Sequence, residues 1–385
     1  MSVGTHDTHH LFERLSLKDN EIRVIDFEIR WRSSKRPNYW SRRTVTTNIA
    51  RLYPGARITH IRPSMIRLPI FDYLSIIVTH RREIAQQIKD FRPDIIVGLG
   101  IINASVARKL AYKNNIPFIY YLLDEVHLLI PQTFLQGIGR VLESENIRNA
   151  ETVLVTNSAM KEYAIDMGSA PEKTEIIRHG VNLDRFRSAD GTRIREELHF
   201  SDDDVVLLFM GWLYTFSGMK EVAEGLSKQP NPNIKLLLIG KGELLDDLKQ
   251  IASTNERVVV VDWVDHDKIP EYVAASDICL LPCRDVEVMK RIIPIKMIEY
   301  LACGKPVIAS SMEGLVKEFG NDSGVFFIND PSQVFSKTEE ILKPSNMERS
   351  KEDALRYSSS CDWSLIYEDF EGLLTNSMTK RKNSS

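Results

Sequence analysis

Along most of the chain, short apolar runs alternate with longer stretches in which apolar residues recur every third or fourth position. The runs IRVIDF, DIIVGLG, PFIYYLL and TVLVTNS read as strands, and residues 73–91 and 104–114 carry helical spacing. The pattern restarts with VVLLFMG, IKLLLIG, RVVVVDW, DICLLP and KPVIAS, each followed by a polar turn and usually by a helix. Strands that are apolar at every position are buried on both faces, so this alternation predicts parallel sheets covered by helices. Two such series in tandem predict an α/β protein of two doubly wound domains. Hydrophobicity falls and charge rises across residues 184–204, so the join is expected there. The expected domains are residues 1–188 and 189–361, with a closing helix over 362–378 that could pack back on the first.

A doubly wound domain normally opens with a buried strand, whereas MSVGTHDTHHLFERLS reads as the turn and helix that would follow one. Either that strand lies upstream or this chain lacks it, which would leave an open ladder edge. The tail TNSMTKRKNSS is expected to be disordered.

Composition supports a globular chain: 385 residues, 43% hydrophobic and 27% charged, fit two domains of ordinary size. The net charge of -3 conceals an imbalance. Between Ile29 and Phe71 lie Arg30, Arg32, Lys35, Arg36, Arg42, Arg43, Arg51, Arg57, Arg62 and Arg67, with no carboxylate. This is either a solvated basic surface or a surface for anionic lipid or a phosphorylated acceptor. No nucleic-acid module accompanies it, so nucleic acid is not an expected partner. Cys279, Cys283, Cys303 and Cys361 lack metal-type spacing and read as buried, reduced thiols. Neither a spanning apolar run nor a secretory signal is seen. The expectation is a cytoplasmic protein, with peripheral contact at the inner face of an anionic membrane kept open.

The most informative stretch is RIIPIKMIEYLACGKPVIAS, Arg291–Ser310. Pro294 suits a first helical turn, and Gly304 with Pro306 ends the helix. Met297, Ile298, Leu301 and Ala302 form one packed side, while Lys296, Glu299 and Cys303 fall on another. The strand before it should deliver this helix to the crevice at the sheet's carboxyl edge, where open α/β sheets bind ligands. No good capping side chain precedes it, so its first amides are open to an anion. An ordinary amphipathic helix with a solvent-facing Lys–Glu pair fits the spacing equally.

PIKMIEYLACGKPVIAS resembles the signature of family 4 glycosyltransferases of the GT-B fold. IIRHGVNLDRF, LLLIGKGELLDDL, VDWVDHDKIPEYVAASDICLLP and CDWSLIYEDFEGLL resemble further segments of that family, in the family's order. The resemblance covers most of residues 150–374. It implies two Rossmann-like domains facing across a cleft and transfer of a sugar from a nucleotide-sugar donor with retention of configuration. It implies no metal and no cofactor, the nucleotide-sugar being a co-substrate, and a glycan or lipid-linked acceptor. Negative charge grows on the diphosphate as it leaves, so cationic side chains and amide dipoles are needed there. By resemblance Glu299 would hold ribose hydroxyls, and Lys296 with Lys220 would face phosphate. Gly211, Trp212, Ser217, Gly218, Gly240, Gly242, Val264, Ile295 and Gly180 would line the donor.

The chain departs from the family at Trp212, where an arginine is usual, at Ser217, where a lysine is usual, and at Arg291, where a glutamate is usual. Lys220, one turn on, would take the lysine's place, and Arg291 would meet phosphate, an acidic sugar or solvent. His6 and Asp7 in HDTHH, and Asp124 and His127 in YYLLDEVHLLIP, are the acceptor-side candidates. The histidines of HDTHH lack a partner motif, so no metal site is read there. Two rival readings stay open: a GT-B nucleotide-sugar 2-epimerase, and a non-catalytic or degraded nucleotide-sugar-binding homologue.

Overall fold

The computed structural model describes residues 7–27 and 38–382. His6, Arg30, Arg32, Lys35 and Arg36 lie outside the described residues. The chain forms two compact units, one running to Arg178 and resuming at Ile366, the other spanning His179–Leu365.

In the first unit the strands fall into separate sheets. β1 (Ile22–Ile25), β3 (Thr44–Ile49) and β4 (Ile58–Arg62) form a three-stranded sheet in the order β1-β4-β3, with β3 antiparallel. β2 (Trp40–Ser41) pairs with β5 (Met65–Ile66). The parallel strands β6 (Ile96–Gly98), β7 (Phe118–Leu122), β8 (Thr152–Val155) and β9 (Thr174–Ile176) form a four-stranded sheet in chain order. Tyr120, Leu122, Val153 and Val155 pack with Ala104, Ala107 and Ala111 of the helix Ile102–Lys113, and small residues there let helix and sheet approach closely. β1 and β6, at sheet edges, carry partly exposed apolar residues.

Carboxylates from outside the basic stretch neutralise part of it. Arg43 pairs with Glu83 at 2.6 Å, and Arg62 with Asp26 at 2.7 Å. The first helix, Asp7–Leu17, buries Glu13, which accepts amides of Arg51, Leu52 and Tyr53 at 2.8–3.1 Å. The closing helix, Trp363–Lys382, packs Phe370 against Phe12 and Tyr121.

The second unit has a single parallel sheet: β10 (Val205–Trp212), β11 (Ile234–Lys241), β12 (Val258–Val261), β13 (Ile278–Leu281), β14 (Val307–Ser310) and β15 (Val325–Ile328). Their order is β12-β11-β10-β13-β14-β15. Leu207, Leu208, Leu236–Leu238, Ile278, Leu280, Val307 and Ile308 are wholly buried, as continuous apolar runs require when helices cover both faces. The strand order reverses between β10 and β13, so the segments leaving these two strands open side by side at the carboxyl edge. Three of the four cysteines are buried and all four are free.

Candidate functional site

The two segments leaving β10 and β13 are stitched together by backbone contacts. Arg284 N donates to Phe216 O at 2.7 Å, while the segment leaving β13 is held to the end of β14 by Ser310 Oγ, which donates to Cys283 O at 2.6 Å. Gly218 has φ +73°, and a Cβ there would strike the Pro282 carbonyl oxygen, so both conformation and space require glycine. Gly218 also stands before the helix Met219–Leu226, which has no side-chain cap. The helix Ile295–Ala302, which follows β13, likewise begins after Pro294 without a side-chain cap. Both helix starts therefore leave amides available to an anion.

Helix Ile295–Ala302 is fastened to the end of β10 through a single residue. Met210 N donates to the Tyr300 hydroxyl at 3.0 Å, and Met210 O accepts from Lys296 Nζ at 2.8 Å. The ammonium lies 4.2 Å from the centre of the Phe209 ring. No carboxylate pairs with it among the described residues. Burial pulls its pKa down from 10.5 to about 8, with nearby Cys283 and Glu299 acting in the opposite direction. A Cβ on Gly211, where φ is +121°, would come within 3.0 Å of Nζ. Gly211 thus leaves the space in front of the ammonium open.

Glu299 is buried on the same helix, and its Oε1 meets Nε2 of His266 at 2.7 Å. That hydrogen bond raises the histidine pKa above 6.5, against a partial desolvation. Arg185 secures the turn that carries His266, donating to His266 O at 3.0 Å and pairing with Asp267 at 3.0 Å. Val264, in the same segment, is partly buried against the core.

Around the end of β10 the surface is aromatic. Trp212 is 49% exposed and Trp263 48%, with ring centres 6.2 Å apart. Lys241 Nζ stands 4.3 Å from the Trp263 ring and 5.1 Å from Trp212. Tyr214 stacks on Trp212 and on Phe216. Gly240 and Gly242 flank Lys241 at φ +147° and +155°, where side chains would meet the backbone at Gly211 and Leu213. Ser217 is buried, and its hydroxyl has no hydrogen-bond partner among the described residues.

The remaining candidates are distributed as follows. Lys220 is partly exposed and pairs with Asp247 at 2.6 Å, which raises its pKa. It shares no partner with Lys296 among the described residues. Arg291 stands 3.9 Å from Glu313, and Ile295 opens the helix that carries Lys296 and Glu299. Over Gly180 lies the indole of Trp363, leaving no room there for a side chain. In the other unit, Asp7 is buried in the first turn of its helix and Asp124 follows β7. His127 is buried beside Glu143, which takes its backbone N–H at 3.0 Å and the Tyr163 hydroxyl at 2.7 Å. Burial raises the Glu143 pKa despite these bonds. His266, Lys241, Trp263 and Glu143 were not singled out from the sequence. A lysine between two glycines was the one local signal for Lys241, whereas His266 and Glu143 required the fold.

Two family models match this chain: Glycosyltransferase Family 4 over residues 8–185, and Glycosyl transferases group 1 over residues 204–344. A D-inositol 3-phosphate glycosyltransferase of Acidothermus cellulolyticus is 22% identical over 64% of this chain and 58% of its own length. One from Catenulispora acidiphila is 24% identical over 61% of this chain and 57% of its own. The chain therefore spans little more than half of each of these relatives. Among solved structures, sucrose-phosphate synthase from Thermosynechococcus elongatus superposes with TM-score 0.71 at 18% identity, over 95% of this chain and 91% of that one. Anabaena HepE in complex with UDP superposes with TM-score 0.69 at 16% identity, over 83% and 86%.

Proposed function

Since the chain belongs to the family 4 glycosyltransferases of the GT-B fold, we propose that it moves a sugar from a nucleotide-sugar to an acceptor hydroxyl with retention of configuration. The donor's diphosphate would sit against Lys296 and the uncapped start of helix Ile295–Ala302, with a ribose hydroxyl on Glu299. One observation carries this reading: Lys296 holds a partly buried ammonium with a carbonyl and a ring for partners and no carboxylate among the described residues, beside open backbone at Gly211. Such a group is costly to fold around and is relieved by an anion.

In the proposed step the bond from the anomeric carbon to the phosphate oxygen breaks, and its electron pair stays on the diphosphate. The acceptor oxygen bonds to the same face of the sugar, and its proton passes to the departing phosphate. Lys296 and the helix amides meet the charge that develops, and they do so in a poorly solvated place where such contacts count most. Lys220 would join by exchanging Asp247 for phosphate. The acceptor would be a glycan or a lipid-linked sugar reached from the cytoplasm, with no cofactor and no metal taking part.

Thermal shift with UDP-, GDP- and ADP-sugars tests the donor site, because a ligand that binds only the folded chain raises Tm. One base class is expected to stabilise the chain, and the Lys296→Met variant is expected to lose that shift. No shift with any nucleotide-sugar would overturn the reading. The departures at Trp212, Ser217 and Arg291 favour a second reading, a non-catalytic binder. Mass spectrometry separates the outcomes: a glycosylated acceptor supports transfer, free epimerised sugar from donor alone supports an epimerase, and binding without product supports the binder.

A further inference from the structure

The first unit carries large apolar side chains on its outside in a pattern that the donor site does not use. On the helix Phe71–Phe91, Phe71 and Leu74 are each 56% exposed, and Ile77 and Val78 lie exposed a turn further on. On the helix Thr133–Asn149, Phe134 is 69% exposed and Ile138 and Val141 are 60% exposed, at spacings that form one face. The two helix starts are neighbours, since the Tyr73 hydroxyl donates to Gln132 Oε1 at 3.3 Å. Single exposed apolar residues are ordinary, but a clustered set marks an interaction surface.

Charge decides the partner. The exposed residues that continue the first face are Arg81 and Arg82, and Arg140 stands on the second. None of the three forms an ion pair among the described residues. The carboxylates of the same turns are withdrawn: Asp72 and Glu143 are buried, and Glu83 is buried against Arg43. Glu145, the first exposed acid on the second helix, is paired with Arg108. Apolar residues bounded by unpaired arginines, with no exposed acid among them, suit an anionic lipid surface. The side chains enter the acyl boundary and the guanidinium groups stay among the headgroups. A strained residue holds the entry to this face: Ile70, exposed and β-branched, has φ +69° before the first helical turn. Such a conformation is disfavoured for isoleucine.

We propose that the exposed faces of Phe71–Arg82 and Phe134–Val141 dock the protein on an anionic membrane leaflet. This stands apart from the donor site, so it can fail while sugar transfer holds, and the reverse. Of the basic stretch before Phe71, Arg43 and Arg62 are already paired with carboxylates.

Sedimentation of the full chain with vesicles of phosphatidylglycerol and phosphatidylcholine, beside vesicles of phosphatidylcholine alone, tests the proposal. Binding is expected only to the anionic vesicles. The pairs L74Q/V78Q and F134Q/I138Q are each expected to weaken it at least about tenfold, given the transfer free energy of the apolar groups removed. The pair R81Q/R82Q is expected to weaken it by about tenfold, at low salt more than at high. Leu355→Gln, an exposed site in the other unit, is expected to change nothing. Retained binding in the apolar variants, or equal binding to neutral vesicles, overturns the proposal. So does light scattering that shows a dimer which L74Q/V78Q dissociates, since the face would then be covered by a second copy. Unchanged donor-induced thermal shifts in all these variants keep the result separate from the sugar-transfer reading.

Discussion

Glu13 in the first unit and Lys296 in the second are both charges withdrawn from water, and the fold treats them oppositely. Glu13, in the first, is enclosed but accepts three backbone amides, and Glu83 is matched by Arg43 and Gln87. In the second, Lys296 is partly buried against a carbonyl and an aromatic face, and its affinity for its proton falls. A buried charge whose hydrogen-bonding capacity is filled is part of the fold's own support. One that is left short is a place where the fold gives up stability, and such places gather at sites that bind. The comparison therefore separates Glu13 from Lys296, although both are charges that the fold draws out of water.

Substitution should give the two residues opposite signs. Lys296→Met keeps the volume and removes the charge, so Tm is expected to rise while donor-dependent activity falls by about 10²-fold or more, the usual loss for a donor to developing charge. The sign follows from the depressed pKa. The folded chain holds this proton less tightly than the unfolded one, so the penalty is present below about 8 and is shed as pH rises toward 10.5. The stability advantage of Lys296→Met should accordingly be largest near neutrality and vanish in alkali. Glu13→Ala should lower stability by about 1–3 kcal/mol, because amides of Arg51, Leu52 and Tyr53 lose their acceptor, and should leave donor affinity alone. Paired urea titrations and donor binding check both. A drop in Tm for Lys296→Met would remove the distinction.

Glu299 comes next. Glu299→Gln retains the shape but removes the charge that draws a ribose hydroxyl, and donor affinity is expected to fall by about tenfold, with kcat falling less. A deoxyribose donor should lose most of the same factor on the parent chain and little on the variant. Equal losses on both would show that the carboxylate does not touch the ribose.

His266 sharpens the picture through pH. The protonated imidazole competes with the ribose for Glu299 Oε1, so donor affinity should improve as pH rises through the raised histidine pKa, above 6.5. It should decline again as Lys296 loses its proton near 8. His266→Ala is expected to abolish the acid limb and keep the alkaline one. The stability that His266 derives from the pair runs the other way. It is complete below 6.5 and disappears as pH passes the raised value. Isothermal titration across this range reads both limbs. Retention of the acid limb in His266→Ala would assign it elsewhere.

How far the sequence could be read follows the same physics. The strands β7, β8, β10, β11, β13 and β14 announce themselves because they are apolar on both faces, and helix Phe71–Phe91 because its buried positions recur at helical spacing. β3, TVTTNI, gave no such signal: five of its six residues are exposed at a sheet edge, so no pattern of burial is written into it. β2 and β5, of two residues each, are too short to carry one. Lys296 and Glu299 were legible because charge in an apolar helix is conspicuous. Their settings were not, since Met210 and His266 reach them from 86 and 33 positions away in the chain. The outward face of Phe71–Val78 was hidden for the converse reason. Hydrophobic residues on a helix are read as core, and only the structure shows which of them face away from it.

The smallest effect is expected at Lys220, and it tests whether one ammonium or two hold the diphosphate. Its pairing with Asp247 lies at a partly exposed position, where an ion pair contributes little and salt screens it. Exchanging Asp247 for a diphosphate is therefore cheap, but so is remaining as it is. Lys220→Ala should cost about two- to five-fold in donor affinity at low salt, as exposed pairs do, and less as salt is added. Asp247→Asn, which frees Lys220 without removing it, should tighten donor binding slightly. A loss at Lys220 as large as at Lys296, unaffected by salt, would mean that the helix Met219–Leu226 closes over the donor and buries a second charge. The contrast between a surface lysine paired with a carboxylate and a partly buried one without would then hold only before the donor binds.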